Sequence, residues 1–142
     1  MLTVNRNFLN TARIVSSVTT ALICIVWFTN GLLCKILDLV PRHRQIVARI
    51  LGDEYAWAFT KFIGVSEVLM VVWIVSRIKP RSCAIFQMTI VAVMNVIEFF
   101  LAPDLLLFGR LNIVFASLFI TLIYADAFVI GKPNTYTFSE EP

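Results

Sequence analysis

Four apolar stretches, at about residues 11–37, 55–76, 82–101 and 105–130, take up most of this chain. Each is close to the ~20 residues a helix needs to cross the hydrocarbon of a bilayer. Such a chain has few ways to fold, because in hydrocarbon every backbone N–H and C=O must be bonded within its own helix. With 59% hydrophobic and 15% charged residues and a mean hydropathy of +0.86, there is too little polar surface to coat a soluble domain. The expectation is an all-α, membrane-spanning, up-and-down four-helix bundle, one transmembrane domain over residues 1–142.

The punctuation between the stretches supports that division. Asn10 or Thr11 is placed to cap the first span, and Pro41 lies beyond its end. The run from Ile14 to Leu33 exceeds the apolar core of a signal peptide and reads as a retained span. Pro41 then opens a short amphipathic helix over residues 41–51, with Ile46, Val47, Ile50 and Leu51 on one side and Gly52 at its end. Its apolar side would rest in the membrane interface while its arginines reach for headgroups. Asp53 and Glu54 suit the start of the second span, and Tyr55 and Trp57 suit an aromatic belt. Ser82 is a good cap for the third span, and Ala102-Pro103-Asp104 breaks it and can cap the fourth. Gly131-Lys132-Pro133 stops the last helix, leaving a polar tail, 134–142, expected to be disordered.

Four spans put both termini on one side. Arg6, Arg13, Arg77, Lys79, Arg81 and Lys132 fall there, against Lys35, Arg42, Arg44, Arg49 and Arg110 opposite. The compact basic turn at 77–81 tips the expectation to cytoplasmic termini in a cell inner (plasma) membrane. A net charge of +3, spread over helix ends, fits anionic headgroups better than nucleic acid. Cys24, Cys34 and Cys83 show no C-x-x-C and no metal-ligand spacing, and read as small apolar fillers. No phosphate loop or dinucleotide fingerprint is present, so neither a metal nor a cofactor is expected.

The polar residues inside the spans are the informative feature. Alternating helix direction brings the ends of the first and third spans level with the starts of the second and fourth. Asn30, Lys35, Lys61, Asn95, Glu98 and Asn112 therefore share one half of the bilayer, away from the termini, with Glu67 deeper. Helical spacing keeps Gln87, Val91, Asn95 and Glu98 in one stripe, and groups Trp27, Gly31, Cys34 and Lys35 in another. Lys61, Gly64 and Glu67 share about a third of the second span's circumference, and Gly64 would let another helix or a ligand come close. Asn112, Ala116, Phe119, Ile123 and Asp126 align on the fourth span.

A charge in mid-membrane costs about 2.5–3.5 kcal/mol on insertion scales, so these groups should turn inward and find partners. Lys35 or Lys61 would pair with Glu98, while Lys35 at its helix end could instead snorkel to the interface. Glu67 finds no basic partner at its depth unless Lys61 reaches it. Asp126, near the opposite side, would anchor to Arg13, Arg77 or Lys79, and His43 is expected in solvent.

The stretch Asn95-Val96-Ile97-Glu98-Phe99-Phe100-Leu101-Ala102-Pro103-Asp104-Leu105-Leu106-Leu107-Phe108-Gly109-Arg110-Leu111-Asn112 resembles the signature of the DoxX-like membrane proteins. Residues 27–37, Trp27 to Leu37, are similar to the same family. The resemblance implies a four-helix bacterial inner-membrane protein. Its wider group is associated with sulfur oxidation coupled to quinone and with redox-stress complexes, so it implies a membrane or peripheral redox-complex partner.

Three functions compete. One is a membrane subunit or binding protein whose pocket, lined by Glu67, Glu98, Asn95, Lys61, Lys35, Asn112 and Asn30, holds a small amphipathic ligand such as a quinone or lipid. The second is an assembly scaffold whose buried ion pairs hold the bundle together. The third is a proton or small-solute transporter using Glu67 and Glu98. Catalysis of its own is not expected, the bilayer is the first partner, and a second copy of the chain is another.

Overall fold

The computed structural model describes residues 6–131, with side-chain surroundings from Asn10 onward. Its helices are α1 (Arg6–Phe28), α2 (Arg42–Leu51), α3 (Asp53–Ser76), α4 (Pro80–Leu101) and α5 (Asn112–Tyr124), and no strand occurs among the described residues. α1 runs on into a π-helical segment, Thr29–Ile36, and α5 into another, Ala125–Ile130. Four helical stretches are long and apolar enough to cross a membrane: Asn10–Ile36, Asp53–Ser76, Pro80–Leu101 and Gly109–Ile130. Phe62, Val72, Phe100 and Leu118 are each more than half exposed on the protein by itself. These side chains face outward because lipid, not water, is the solvent there. The protein is an all-α membrane bundle.

Side-chain contacts give the directions of the spans. Lys61, early in α3, reaches the carbonyls of Lys35 and Ile36 at the end of the first span, while Arg77, just past α3, reaches Thr20, earlier in that span. Asn112 at the start of α5 bonds Asn95 late in α4, and Asp126 near its end bonds Thr19 and Thr20. Neighbouring spans are therefore antiparallel. The core, Ile23, Trp27, Met70, Ile74, Cys83, Ala84 and Ile123, fills the middle of the bundle and the half nearer the termini.

Several boundaries depart from the sequence reading. α1 is already helical at Arg6, so neither Asn10 nor Thr11 caps it. α4 starts at Pro80, whose fixed φ suits a first helical turn, and Ser82 lies inside the helix. Lys79 and Arg77 hold positive φ, 47° and 57°, and together make the tight turn between α3 and α4. The fourth span begins later than residue 105. Two single 3₁₀ turns, Pro103–Leu105 and Gly109–Leu111, come first, and Gly109 sits at φ 54°, where a glycine carries no steric penalty. Asp104 caps nothing; its carboxylate accepts from Arg49 at 3.1 and 3.2 Å, which ties α2 to this connection. That hydrogen bond holds the exposed Asp104 carboxyl below its ordinary range. The expected disorder of 134–142 and the stop at Lys132-Pro133 lie outside the described residues.

Candidate functional site

The site begins with two glycines. A Cβ on Gly31 would lie 2.7 Å from the Gly64 carbonyl oxygen and 2.9 Å from Glu67 Cβ. One on Gly64 would lie 2.8 Å from the Gly31 oxygen and 2.9 Å from Lys35 Cβ. Only residues without a side chain allow this crossing, and it sets the π-helical end of the first span directly against α3. The π turns close with i to i−5 bonds, such as Leu37 N–H to the Leu32 carbonyl at 2.8 Å. Such turns break the regular helical register and recur at functional sites.

The crossing joins Lys35 to Glu67. Lys35 Nζ donates to both carboxylate oxygens, at 2.8 and 2.7 Å, with side chains 6% and 9% exposed. This departs from the pairing with Glu98 and from snorkelling: α3 covers the lysine stem and supplies the partner that Glu67 was expected to lack. Lys61 does neither of the things expected of it. Lying about 120° round α3 from Glu67 by helical geometry, it points away and donates to the terminal carbonyls of the π-helical segment, Lys35 at 3.1 Å and Ile36. Those carbonyls would otherwise be orphans in a low-dielectric setting.

Beside the pair lies a cleft of about 660 Å³, at the α2 end of the bundle. Six of the seven predicted residues line it, Asn30, Lys35, Glu67, Asn95, Glu98 and Asn112, while Lys61 does not. Asn112 Nδ2 donates to Asn95 Oδ1 at 3.0 Å, and Asn95 and Asn30 each donate back to their own helix, at Val91 and Val26. Glu98 is different. Its side chain has no hydrogen bond or ion pair with any described residue, although it lies within electrostatic range of Lys35, Glu67 and Arg42. The rest of the wall is apolar, including Val26, Ile90, Met94, Leu106, Phe115 and Phe119.

Two lining residues escaped the sequence reading. α2 brings Arg42 and His43 into the wall, because Ile46 and Val47 are buried and fasten that helix to the bundle. His43 is therefore not in solvent. Its Nδ1 is buried without a partner, and burial, with Lys35 and Arg42 nearby, pushes its pKa down to about 4. The amphipathic pattern of residues 41–51 was visible, but its docking partner was not. Trp27 also lines the cleft and donates from Nε1 to Gln87 Oε1 at 2.8 Å, which closes the floor between α1 and α4.

Towards the other membrane face, Asp126 accepts from Thr19 at 2.6 Å and from Thr20 at 3.1 Å. Arg77 donates to Thr20 at 3.2 Å and forms no ion pair with Asp126, so the expected charge anchor is a hydroxyl anchor instead. No group of His, Cys, Asp or Glu that could hold a metal occurs among the described residues. The cleft thus offers an apolar flank and a polar end where the Glu98 carboxylate and the Arg42 guanidinium have no bonding partner among the described residues.

No curated protein and no solved structure matches the chain. A family model does, and it describes the DoxX-like family over residues 24–124, from the first-span Trp27 stretch through α5 and across every residue of the cleft. On that match, which spans well over half of its length, the chain belongs to the DoxX-like family.

Proposed function

We propose that this protein is a membrane subunit or binding protein that holds a small amphipathic ligand, such as a quinone or lipid, in its intramembrane cleft. One observation carries the reading: Glu98 faces a cleft of about 660 Å³ with no partner for its carboxylate among the described residues. A group with this insertion cost is retained inside a bundle either to pair or to work, and Glu98 does not pair. The volume suits a small ligand, and the mixed wall would orient an amphipathic one. Asn95, Asn112 and Asn30 sit level with Glu98 and add hydrogen-bonding groups, while the Lys35–Glu67 pair closes the back of the site.

The scaffold reading draws its support from that same pair, which is direct and buried. It accounts for Lys35 and Glu67 and leaves Glu98, Arg42 and the cleft without a purpose. We further propose a bacterial inner-membrane location with cytoplasmic termini, consistent with the basic turn Arg77-Ile78-Lys79-Pro80-Arg81 on the terminal side. A membrane or peripheral redox-complex partner, or a second copy, would dock on the remaining surface; the single domain has no feature calling for nucleic acid.

The test is mass spectrometry of small molecules carried through purification, comparing the native chain with Glu98→Gln. A ligand present on the native chain and depleted on a variant of unchanged fold is the expected result. No retained small molecule on either, with intact folds, would leave the scaffold reading in its place.

A further inference from the structure

Resting on that reading of the cleft, the geometry points to a phospholipid head group as the ligand's polar end: its phosphate against Arg42, its ammonium N–H against Glu98. Both side chains line the cleft, one from α2 and one from α4. Neither is in a hydrogen bond or ion pair with a described residue, though Glu98 lies within electrostatic range of Arg42. Two opposite charges that share a low-dielectric space without touching are poorly satisfied alone, and a zwitterionic head placed between them satisfies both. A guanidinium suits phosphate because its planar fork meets two oxygens at once. In its ionised form a carboxylate accepts only, so the group facing an ionised Glu98 is a donor.

The other charged groups do not compete for those roles, and Asn95 is already engaged. Lys35 is held by Glu67, Lys61 by backbone carbonyls, and Asn95 by Asn112. His43, beside Arg42 in the chain, also lines the cleft and has a buried, unpartnered Nδ1. Ile90, Met94, Leu106, Phe115 and Phe119 then face the first part of the acyl chains. A neutral head that only accepts would leave Glu98 without a donor, and an anionic head without a donor would set a second negative charge beside it.

The experiment uses the full chain in maltoside with Trp57→Phe and Trp73→Phe, so that Trp27 in the cleft wall reports binding by fluorescence. The probes are dihexanoylphosphatidylethanolamine, the choline analogue that lacks N–H donors, dihexanoylglycerol that lacks phosphate, and ubiquinone-1. The ethanolamine lipid should bind saturably and about tenfold or more tighter than the choline and glycerol probes. Arg42→Gln should weaken it by about tenfold while leaving dihexanoylglycerol unchanged, and Glu98→Gln should erase the preference for ethanolamine over choline. Equal binding of the ethanolamine and choline lipids, or an ethanolamine affinity indifferent to Arg42→Gln, overturns the head-group assignment. If ubiquinone-1 or dihexanoylglycerol binds tightest, the amphiphile-binding reading stands and this assignment falls. If no probe binds, both fall.

Discussion

Removing either half of the Lys35–Glu67 pair should cost far more than removing both. The pair is bidentate, 2.7–2.8 Å in length, and buried on both sides. Glu67→Leu leaves an ammonium beneath α3 with no acceptor, and Lys35→Met leaves a carboxylate with no donor. Breaking a buried pair in this way costs about 3–5 kcal/mol, whereas replacing both members with apolar side chains of similar volume is near neutral. The double variant Lys35→Met/Glu67→Leu should therefore lie within about 1 kcal/mol of the native chain, which makes the coupling energy several kcal/mol. The assay is reversible unfolding in mixed micelles by SDS titration, followed by helix signal and tryptophan fluorescence. The double variant also keeps Glu98 and Arg42, so it should retain any small molecule that the native chain carries through purification. Singles that each cost under about 1 kcal/mol, or a double equal to their sum, would refute the view that the pair is a closed structural unit.

Other outcomes follow from the same contacts. Gly31→Ala and Gly64→Ala should each lose about 1–3 kcal/mol in the same assay, because a Cβ at either position comes within 2.7–2.8 Å of the facing carbonyl. The double substitution should cost less than the sum, since both changes open one crossing. His43 has a pKa of about 4 in the fold against 6.5 ordinarily, so its contribution is full above pH 6.5 and is lost as pH falls towards 4. The full shift would be worth at most about 3.4 kcal/mol, and with solvent partly reaching the ring roughly half of that. A native-minus-His43→Gln stability difference that is flat across this range would contradict the buried placement. Arg49→Ala should return the Asp104 carboxyl to its ordinary range in an NMR titration with little change in stability, as befits an exposed pair.

Hydropathy and helical spacing determined the four spans, their alternation and the grouping of Asn30, Lys35, Lys61, Asn95, Glu98 and Asn112 at one end of the bundle, with Glu67 deeper. Those properties follow from local chemistry: hydrocarbon requires helices, and helices require short connections to return. Partner choice was decided elsewhere. Lys35 meets Glu67 rather than Glu98 because Gly31 and Gly64 bring two backbones into contact at that level, a distance that no single-helix periodicity contains. Lys61 is led away from the cleft by its angle on α3 and by the unpaired carbonyls at the C-terminal end of the first span. Arg42 and His43 enter the wall because α2 folds back on the bundle, and an amphipathic pattern states which face is apolar without saying what it will cover. Sequence thus placed the charges in one half of the membrane, and tertiary packing selected which of them neutralise each other and which, Glu98 and Arg42, remain uncommitted in the cleft.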